Sequence, residues 1–265
     1  MSKRARSKIV RSPAIAVPVP LRSGEPPAVA APAPLTLVEP AGKGACLVLC
    51  LPQVDLVRAE YANSLACMML RLGYDHAGID QVVKCNASGS ILPHVRQQLA
   101  EAAIIKGATH LLWIDSDHSF PVDTPQRLLA HRRPIVGINA STRKMPVRAT
   151  ALKKRGERLE TTPQSTGLER VLSMGFGIAM IEARVFLAME KPWFNVVWVE
   201  DETSESGHTF RGEDYYFCEK ARAAGFQPMI DQDLTKETAH YGSIGWNTAL
   251  MKARDQAESD GGRHD

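Results

Sequence analysis

The sequence predicts one α/β domain in which a Rossmann-like mixed sheet is flanked by helices. In the first half of the chain, short apolar runs alternate with segments of helical spacing, which is typical of parallel strands joined by helices. In the second half, short strand patterns precede one further helix, so strands of mixed direction are expected to extend the same sheet. With 265 residues and 44% hydrophobic content, the chain is long enough to bury one such core.

The first half predicts four strands separated by three helices. The strands are short apolar runs, and the helical segments carry apolar residues at spacings of three and four. Thr124 is expected to cap the third helix, with Pro125 in the first helical position. The predicted strands are 45–51, 78–85, 109–115 and 134–140, and the predicted helices are 54–73, 90–107 and 123–133.

The second half predicts shorter elements. A hairpin turns at Arg155-Gly156, two short strands are interrupted by Gly175 and Gly177, and a helix ends at Gly225. The polar segment before that helix is a candidate lid. The ranges are 147–162 for the hairpin, 170–183 for the two strands, 200–210 for the lid, 212–225 for the helix and 229–234 for a last short strand.

The first 43 residues differ in composition from the rest of the chain. They are rich in proline and alanine and carry a net charge of +5, which leaves −2 for the remainder of a total of +3. We predict a disordered basic tail over 1–43, a folded domain over 44–257 and a frayed C-terminus over 258–265. The tail could bind nucleic acid or another acidic partner, or serve only as a solubilising linker.

The cysteines and the apolar runs bear on the compartment. The five cysteines form no CxxC pair and lie mostly in apolar surroundings, which predicts reduced, buried thiols and a cytoplasmic protein. The longest apolar runs fall short of the roughly 18 residues of a membrane span. The N-terminus also lacks the apolar core of a secretory signal.

Two carboxylates follow the third predicted strand, in the sequence Asp115-Ser116-Asp117. Ligands of open α/β sheets bind beyond the carboxyl ends of the strands, and these residues fall there. Two carboxylates one residue apart can share a hard cation, which can bridge to phosphate oxygens. The alternative interpretation is an ordinary turn after a strand.

Further residues make the pattern more specific. Glu213-Asp214 opens the helix "GEDYYFCEKARAAG", and His240 follows the short strand "MIDQDL". Taken together with Asp115 and Asp117 after an apolar strand, these elements resemble the nucleotide-sugar-dependent glycosyltransferases of the GT-A fold, over about residues 45–246. The resemblance implies a GT-A fold and the transfer of a sugar from a nucleoside diphosphate sugar, a UDP-sugar first among the candidates.

The resemblance also implies a role for each of these residues. Asp115 would contact the ribose or base of the donor and share a divalent cation, Mn²⁺ or Mg²⁺, with Asp117. His240 would be the third protein ligand of that metal. Asp214 would be the base that deprotonates the acceptor hydroxyl in an inverting enzyme, with Glu213 beside it. The alternatives are a helix-dipole role for the two acids and a loop hydrogen bond for His240.

Six other positions are weaker candidates for the donor and acceptor sites. Arg96 would approach the nucleotide, with a solvated helix arginine as the alternative. Arg143 and Lys144 would reach phosphate, or form an exposed basic loop. The donor and acceptor candidates are completed by Pro52 near the nucleotide base and by Gly175 and Gly177 at the acceptor site, where a bulge without function is the alternative.

Other functions fit parts of the pattern. A phosphatase of the haloacid dehalogenase class also uses Asp-x-Asp, but after the first strand and followed by Thr or Val, whereas His118 and Ser119 follow here. A GT-A-like nucleotidyltransferase and a non-catalytic nucleic-acid-binding protein remain alternatives. A further hypothesis joins the basic tail to the transferase pattern: the protein would be an enzyme that glycosylates modified, hydroxymethylated DNA in a bacterial or phage-infected cell.

Overall fold

The computed structural model describes residues 44–53, 56–143, 145–200, 206–242 and 245–246. The predicted tail, the C-terminal segment and Lys144 lie outside the described residues. The strands are β1 (Ala45–Gln53), β2 (Ile79–Ser88), β3 (His110–Ile114), β4 (His118–Ser119), β5 (Ile135–Gly137), β6 (Leu152–Lys154), β7 (Glu157–Arg158), β8 (Leu168–Arg170), β9 (Ile178–Glu182), β10 (Val197–Glu200), β11 (His208–Arg211), β12 (Met229–Asp231), β13 (Ala239–Tyr241) and β14 (Gly245–Trp246). The helices are α1 (Ala59–Tyr74), α2 (Leu92–Ile105), α3 (Thr124–Ala130), α4 (Ala183–Leu187), α5 (Glu213–Ala223) and α6 (Gln232–Lys236).

Seven strands form the central sheet in the order β2-β1-β3-β9-β5-β12-β8. Five of them, β2, β1, β3, β5 and β12, run in one direction. β9 runs antiparallel between β3 and β5, and β8 is antiparallel to β12 at the edge. The structure thus confirms a mixed α/β architecture, which is compatible with a Rossmann-like fold.

The sheet separates two hydrophobic layers. Successive residues of a strand point to opposite faces, so Val48 of β1 and Trp113 of β3 pack on one side, and Leu49 and Leu112 pack on the other. The first layer receives the buried faces of α2, α4 and α5, and the second receives those of α1, α3 and α6. Helices therefore cover both faces of the sheet and fix its strand ends in place.

Several predictions about element boundaries are wrong, among them the last short strand, which ends at Asp231 because Gln232–Lys236 forms α6. The first helix begins at Ala59 rather than 54, because Arg58 is extended and its N–H bonds the carbonyl of Ser116. Thr124 is the first helical residue of α3 rather than its cap, and its hydroxyl donates to the carbonyl of Pro121. β8 ends at Arg170, so the two predicted strand-interrupting glycines lie in the connection before β9.

The hairpin and the thiols agree with the predictions from the sequence. β6 and β7 pair around the predicted turn, where Gly156 has a positive φ of 78°. All five cysteines are free, and four of them are buried. Among the helices of the described residues, none is both long and apolar enough to cross a membrane.

Candidate functional site

The turn after β3 places its side chains at the carboxyl edge of the sheet. The N–H of Asp115 donates to the carbonyl of Gly177, which fixes the turn against the start of β9. The chain then enters β4, and β4 pairs antiparallel with β13 so that His118 lies opposite His240. This pairing joins two segments that are more than 100 residues apart in the sequence.

A cluster of one carboxylate and two imidazoles forms at that pairing. Nδ1 of His118 lies 3.0 Å from Oδ1 of Asp117, and Nε2 of His240 lies 3.3 Å from Oδ2 of the same carboxylate. The two imidazole rings stack with their centroids 4.1 Å apart. The three side chains each present a ligand atom, and these atoms lie within 4.8 Å of one another.

The electrostatics of the cluster favour a cation. Burial raises the pKa of Asp117, but hydrogen bonds from His118 and His240 outweigh burial and hold that pKa well below its usual range, so the carboxylate is ionised. Burial lowers the pKa of His118, which favours a neutral ring. Nδ1 of His240 lies 2.7 Å from the carbonyl of Ser141, an acceptor, so Nδ1 carries a proton.

These residues fit a divalent metal. When the Nδ1 of a neutral His240 donates to a carbonyl, Nε2 presents a lone pair, which is the arrangement found in metal-ligating histidines. Nε2 of His240 lies 3.3 Å from Oδ2 of Asp117, so it can donate to that carboxylate when the ring is protonated, and a bound cation would take the place of that proton. Carboxylate ligands suit Mg²⁺ and Mn²⁺, whereas imidazole ligands suit Zn²⁺ and Fe²⁺. His118 is the member that sequence reasoning missed, although its place directly after Asp115-Ser116-Asp117 was a signal.

A second cluster is centred on Arg96, which is 2% exposed. Its Nη2 lies 3.0 and 3.1 Å from the two carboxylate oxygens of Asp115, and its Nε lies 3.1 Å from Oε1 of Glu213. The guanidinium also lies 5.6 Å from the ring centroids of both Trp113 and Phe176. Arg96 therefore links the turn after β3 to the first residue of α5.

The burial of Arg96 decides whether it is a solvated helix arginine or a residue of the candidate site. Burial by itself lowers the pKa of Arg96, but Asp115 and Glu213 raise it above the ordinary value, so the side chain stays charged. A solvated helix arginine is excluded. The Nε and Nη2 of Arg96 bind these two carboxylates, whereas its buried Nη1 has no partner among the described residues.

Asp214 lies beside this second cluster. Burial, followed by the negative charge of Glu213, raises the pKa of Asp214 to about 6, despite the backbone N–H of Tyr215 and the charge of Arg96, which both lower it. Its Oδ1 accepts that N–H at 2.7 Å. A carboxylate with a pKa near 6 exchanges a proton readily close to neutral pH, as a general base requires.

The two glycines that the sequence singled out approach different side chains. A Cβ added at Gly177 would lie 2.5 Å from Nε2 of His118, so glycine is required there for the histidine to sit in the cluster. A Cβ added at Gly175 would lie 3.1 Å from Oγ1 of Thr150 and 3.6 Å from Oδ2 of Asp214. Gly175 therefore borders the carboxylate predicted to be the base, and Gly177 borders the histidine cluster.

The remaining predicted residues are placed as follows. Pro52 is buried within β1 rather than beyond it, and it pairs with Ala87 of β2 near the same sheet edge. Nη1 of Arg143 lies 2.7 Å from Oδ2 of Asp117, so Arg143 reaches the first cluster. Asp115, predicted to share the metal, is held by Arg96 and is not one of the three clustered ligands. Lys144 lies outside the described residues.

Arg143 provides a test of the metal cluster. Because its guanidinium and a metal would compete for Oδ2 of Asp117, Arg143→Ala should raise the affinity for Mn²⁺ about two- to fivefold, the value of a half-exposed ion pair. Calorimetry in the absence of other ligands measures this affinity. Arg71→Ala, which removes another exposed ion pair, is the control. Lower or unchanged Mn²⁺ affinity in Arg143→Ala would show that arginine and metal do not share that oxygen.

Comparisons with known proteins show only distant similarity. No protein-family model matches the sequence, and no curated protein matches it. Among solved structures, A197 from STIV is similar with a TM-score of 0.48 and 13% identity, over 74% of this chain and 86% of that chain. A glycosyltransferase involved in the glycosylation of the major capsid of PBCV-1 is similar with a TM-score of 0.30 and 9% identity, over 56% and 69%. Neither similarity is close enough to assign a family.

Proposed function

We propose that this protein is a metal-dependent glycosyltransferase of the GT-A type, which moves a sugar from a nucleoside diphosphate sugar to an acceptor hydroxyl. The observation that supports it is the adjacency of two clusters. Asp117, His118 and His240 form a metal-type cluster, and Asp115, two residues before Asp117, connects through Arg96 to the Glu213-Asp214 pair. Residues that could hold a cation for the donor and a carboxylate pair that could accept a proton from the acceptor therefore lie close together. We call these the first and the second half of the site.

The first half would hold the donor. Asp117, His118 and His240 would bind Mn²⁺ or Mg²⁺, which when bound neutralises the charge that develops on the leaving nucleoside diphosphate. Arg143 is half-exposed beside Asp117 and can turn to a phosphate oxygen. Asp115 would accept hydrogen bonds from the ribose or base while Arg96 fixes its carboxylate. A UDP-sugar is the first donor to test.

The second half would activate the acceptor. Asp214, with its raised pKa, would remove the proton of the attacking hydroxyl. Glu213 is held by Arg96 and would orient groups beside that hydroxyl. Attack from the side opposite the leaving diphosphate inverts the anomeric centre, so we propose an inverting reaction.

A thermal-shift screen tests this function. UDP-, GDP- and CDP-sugars are added with Mn²⁺, and a donor at about 100 times its Kd should stabilise the fold by about 2.7 kcal/mol, roughly 5–10 °C in Tm. The shift should vanish when EDTA replaces Mn²⁺. A shift with nucleoside triphosphates but with no sugar nucleotide would indicate a nucleotidyltransferase, and no shift with any sugar nucleotide would contradict the proposal.

A further inference from the structure

The cluster of Asp117, His118 and His240 offers a cation one carboxylate and two imidazoles. The other carboxylate of the turn is engaged elsewhere, because both oxygens of Asp115 accept from Nη2 of Arg96, at 3.0 and 3.1 Å. Two carboxylates would suit Mg²⁺ or Mn²⁺. Two histidines with one carboxylate are instead a ligand set of catalytic zinc sites and of non-haem Fe²⁺ sites. The ligands that remain therefore favour an ion that prefers imidazole.

The spacing of the ligand atoms fits such an ion. Zn²⁺ binds nitrogen and oxygen at about 2.0–2.2 Å, so two neighbouring ligand atoms around it lie roughly 3.0–3.5 Å apart. Nδ1 of His118 lies 3.0 Å from Oδ1 of Asp117, and Nε2 of His240 lies 3.3 Å from Oδ2 of the same carboxylate. The same spacings allow hydrogen bonds when no ion is bound, so the side chains need to move little to bind one.

Both imidazole rings are fixed by contacts outside the cluster. Nδ1 of His240 lies 2.7 Å from the carbonyl of Ser141, which leaves Nε2 for an ion. Nε2 of His118 lies against Gly177, where a Cβ would come within 2.5 Å, so Nδ1 is the nitrogen that faces Asp117. The two rings also stack, with their centroids 4.1 Å apart. Ligands held in this way lose little freedom on binding, which favours an ion before any nucleotide arrives.

The cluster also leaves room for a further ligand on the ion. Catalytic zinc sites keep a coordination position for water or substrate, whereas structural sites are closed by protein ligands. The described residues supply three ligands here. Arg143 is half-exposed, with Nη1 2.7 Å from Oδ2 of Asp117, and can give way to an incoming ligand. That this ligand is a phosphate oxygen of a sugar nucleotide is the part of the inference that rests on the proposed function.

We propose that the ion at Asp117, His118 and His240 is a transition ion that prefers imidazole, Zn²⁺ or Fe²⁺, and that it binds in the absence of nucleotide. Mg²⁺ would not replace it, because only one of the three side chains offers oxygen. Mn²⁺, which is the weakest of the first-row divalent ions in the usual order of affinities, would occupy the same ligands less tightly. The choice of ion rests on the ligands alone.

Calorimetric titration of the metal-free, full-length protein with Zn²⁺ alone, and separately with Mg²⁺ alone, tests this choice. Zn²⁺ should bind at least about 100 times more tightly than Mg²⁺. His240→Asp exchanges an imidazole for a carboxylate, so the ratio of the two affinities should fall at least about tenfold. His76→Asp makes the same change at an exposed histidine between α1 and β2, and should leave the ratio as it is in the wild type.

Two further measurements support the titration. Metal analysis of protein purified without added metal distinguishes Zn²⁺ from Fe²⁺ as the resident ion. Co²⁺ can replace either ion, and its visible absorption depends on its ligands, so His118→Ala should alter that spectrum and His76→Ala should not. Thermal melting of each metal-free variant checks that the fold is retained.

The outcomes separate this inference from the proposed function. Mg²⁺ that binds as tightly as Zn²⁺, together with a thermal shift from a sugar nucleotide, would reject the choice of ion and keep the transferase. Selective Zn²⁺ binding with no shift from any sugar nucleotide would reject the transferase and keep the ion. Zn²⁺ binding that is unchanged in His118→Ala/His240→Ala would indicate an adventitious ion only and would overturn the inference.

Discussion

Replacing Asp214 with asparagine is expected to lower kcat/KM for sugar transfer by a factor of about 10²–10⁴, the usual contribution of a general base. Asparagine has nearly the same shape and can still accept the N–H of Tyr215, so the start of α5 should remain intact. It cannot accept the acceptor proton. Binding of the donor, measured separately by calorimetry, should therefore be unchanged.

The wild-type reaction should depend on pH through the same group. The base acts when ionised, and burial with Glu213 raises the pKa of Asp214 to about 6. The rate should therefore be constant above that pH and fall about tenfold per pH unit below it. Glu219→Gln, an exposed change on the same helix, is the control and should keep the full rate and profile. An Asp214→Asn variant with wild-type transfer would assign the base to another residue.

Much of the fold could be predicted because its signals are local. An apolar run followed by a helical segment is visible within about 30 residues, and β1, β2 and β3 arise from such runs. The position of β9 could not be predicted in this way. It pairs with β3 over a separation of about 70 residues, from His110↔Glu182 to Ile114↔Ile178, and then with β5. Nothing in the local pattern specifies which earlier strands it enters between.

The candidate site likewise combines residues that local sequence patterns indicate with a residue that only long-range strand pairing brings in. Asp115 and Asp117 after an apolar strand were visible in the sequence, and the structure brings His240 to Asp117 and Glu213 near Asp115. The place of His118 in the cluster with Asp117 and His240 depends on the pairing of β4 with β13, which the sequence does not specify locally.

Arg96 illustrates a second limit of the sequence. Its helical spacing is compatible with either a solvated or a buried side chain, and only the packed structure shows that its charge is enclosed. Two carboxylates, those of Asp115 and Glu213, compensate the cost of that burial. The residue therefore connects the donor half and the acceptor half of the proposed site.

The central claim is that Asp117, His118 and His240 hold a metal that binds a sugar nucleotide. The most direct test is calorimetric titration of UDP-sugar, or the donor that the thermal screen selects, in the presence of Mn²⁺. Changing a residue that is hydrogen-bonded to a metal ligand typically lowers metal affinity roughly 10- to 100-fold. Removing a ligand itself should lower that affinity by more. Asp117→Ala should therefore lose detectable Mn²⁺-dependent binding.

Asp75→Ala removes an exposed carboxylate at the end of α1 and should bind the donor as the wild type does. Both variants should melt near the wild-type temperature, so that a loss of binding is not a loss of fold. Mn²⁺-dependent donor binding that vanishes in Asp117→Ala and persists in Asp75→Ala is the predicted result. Binding by Asp117→Ala with the wild-type Kd and the same requirement for Mn²⁺ would contradict the proposed site.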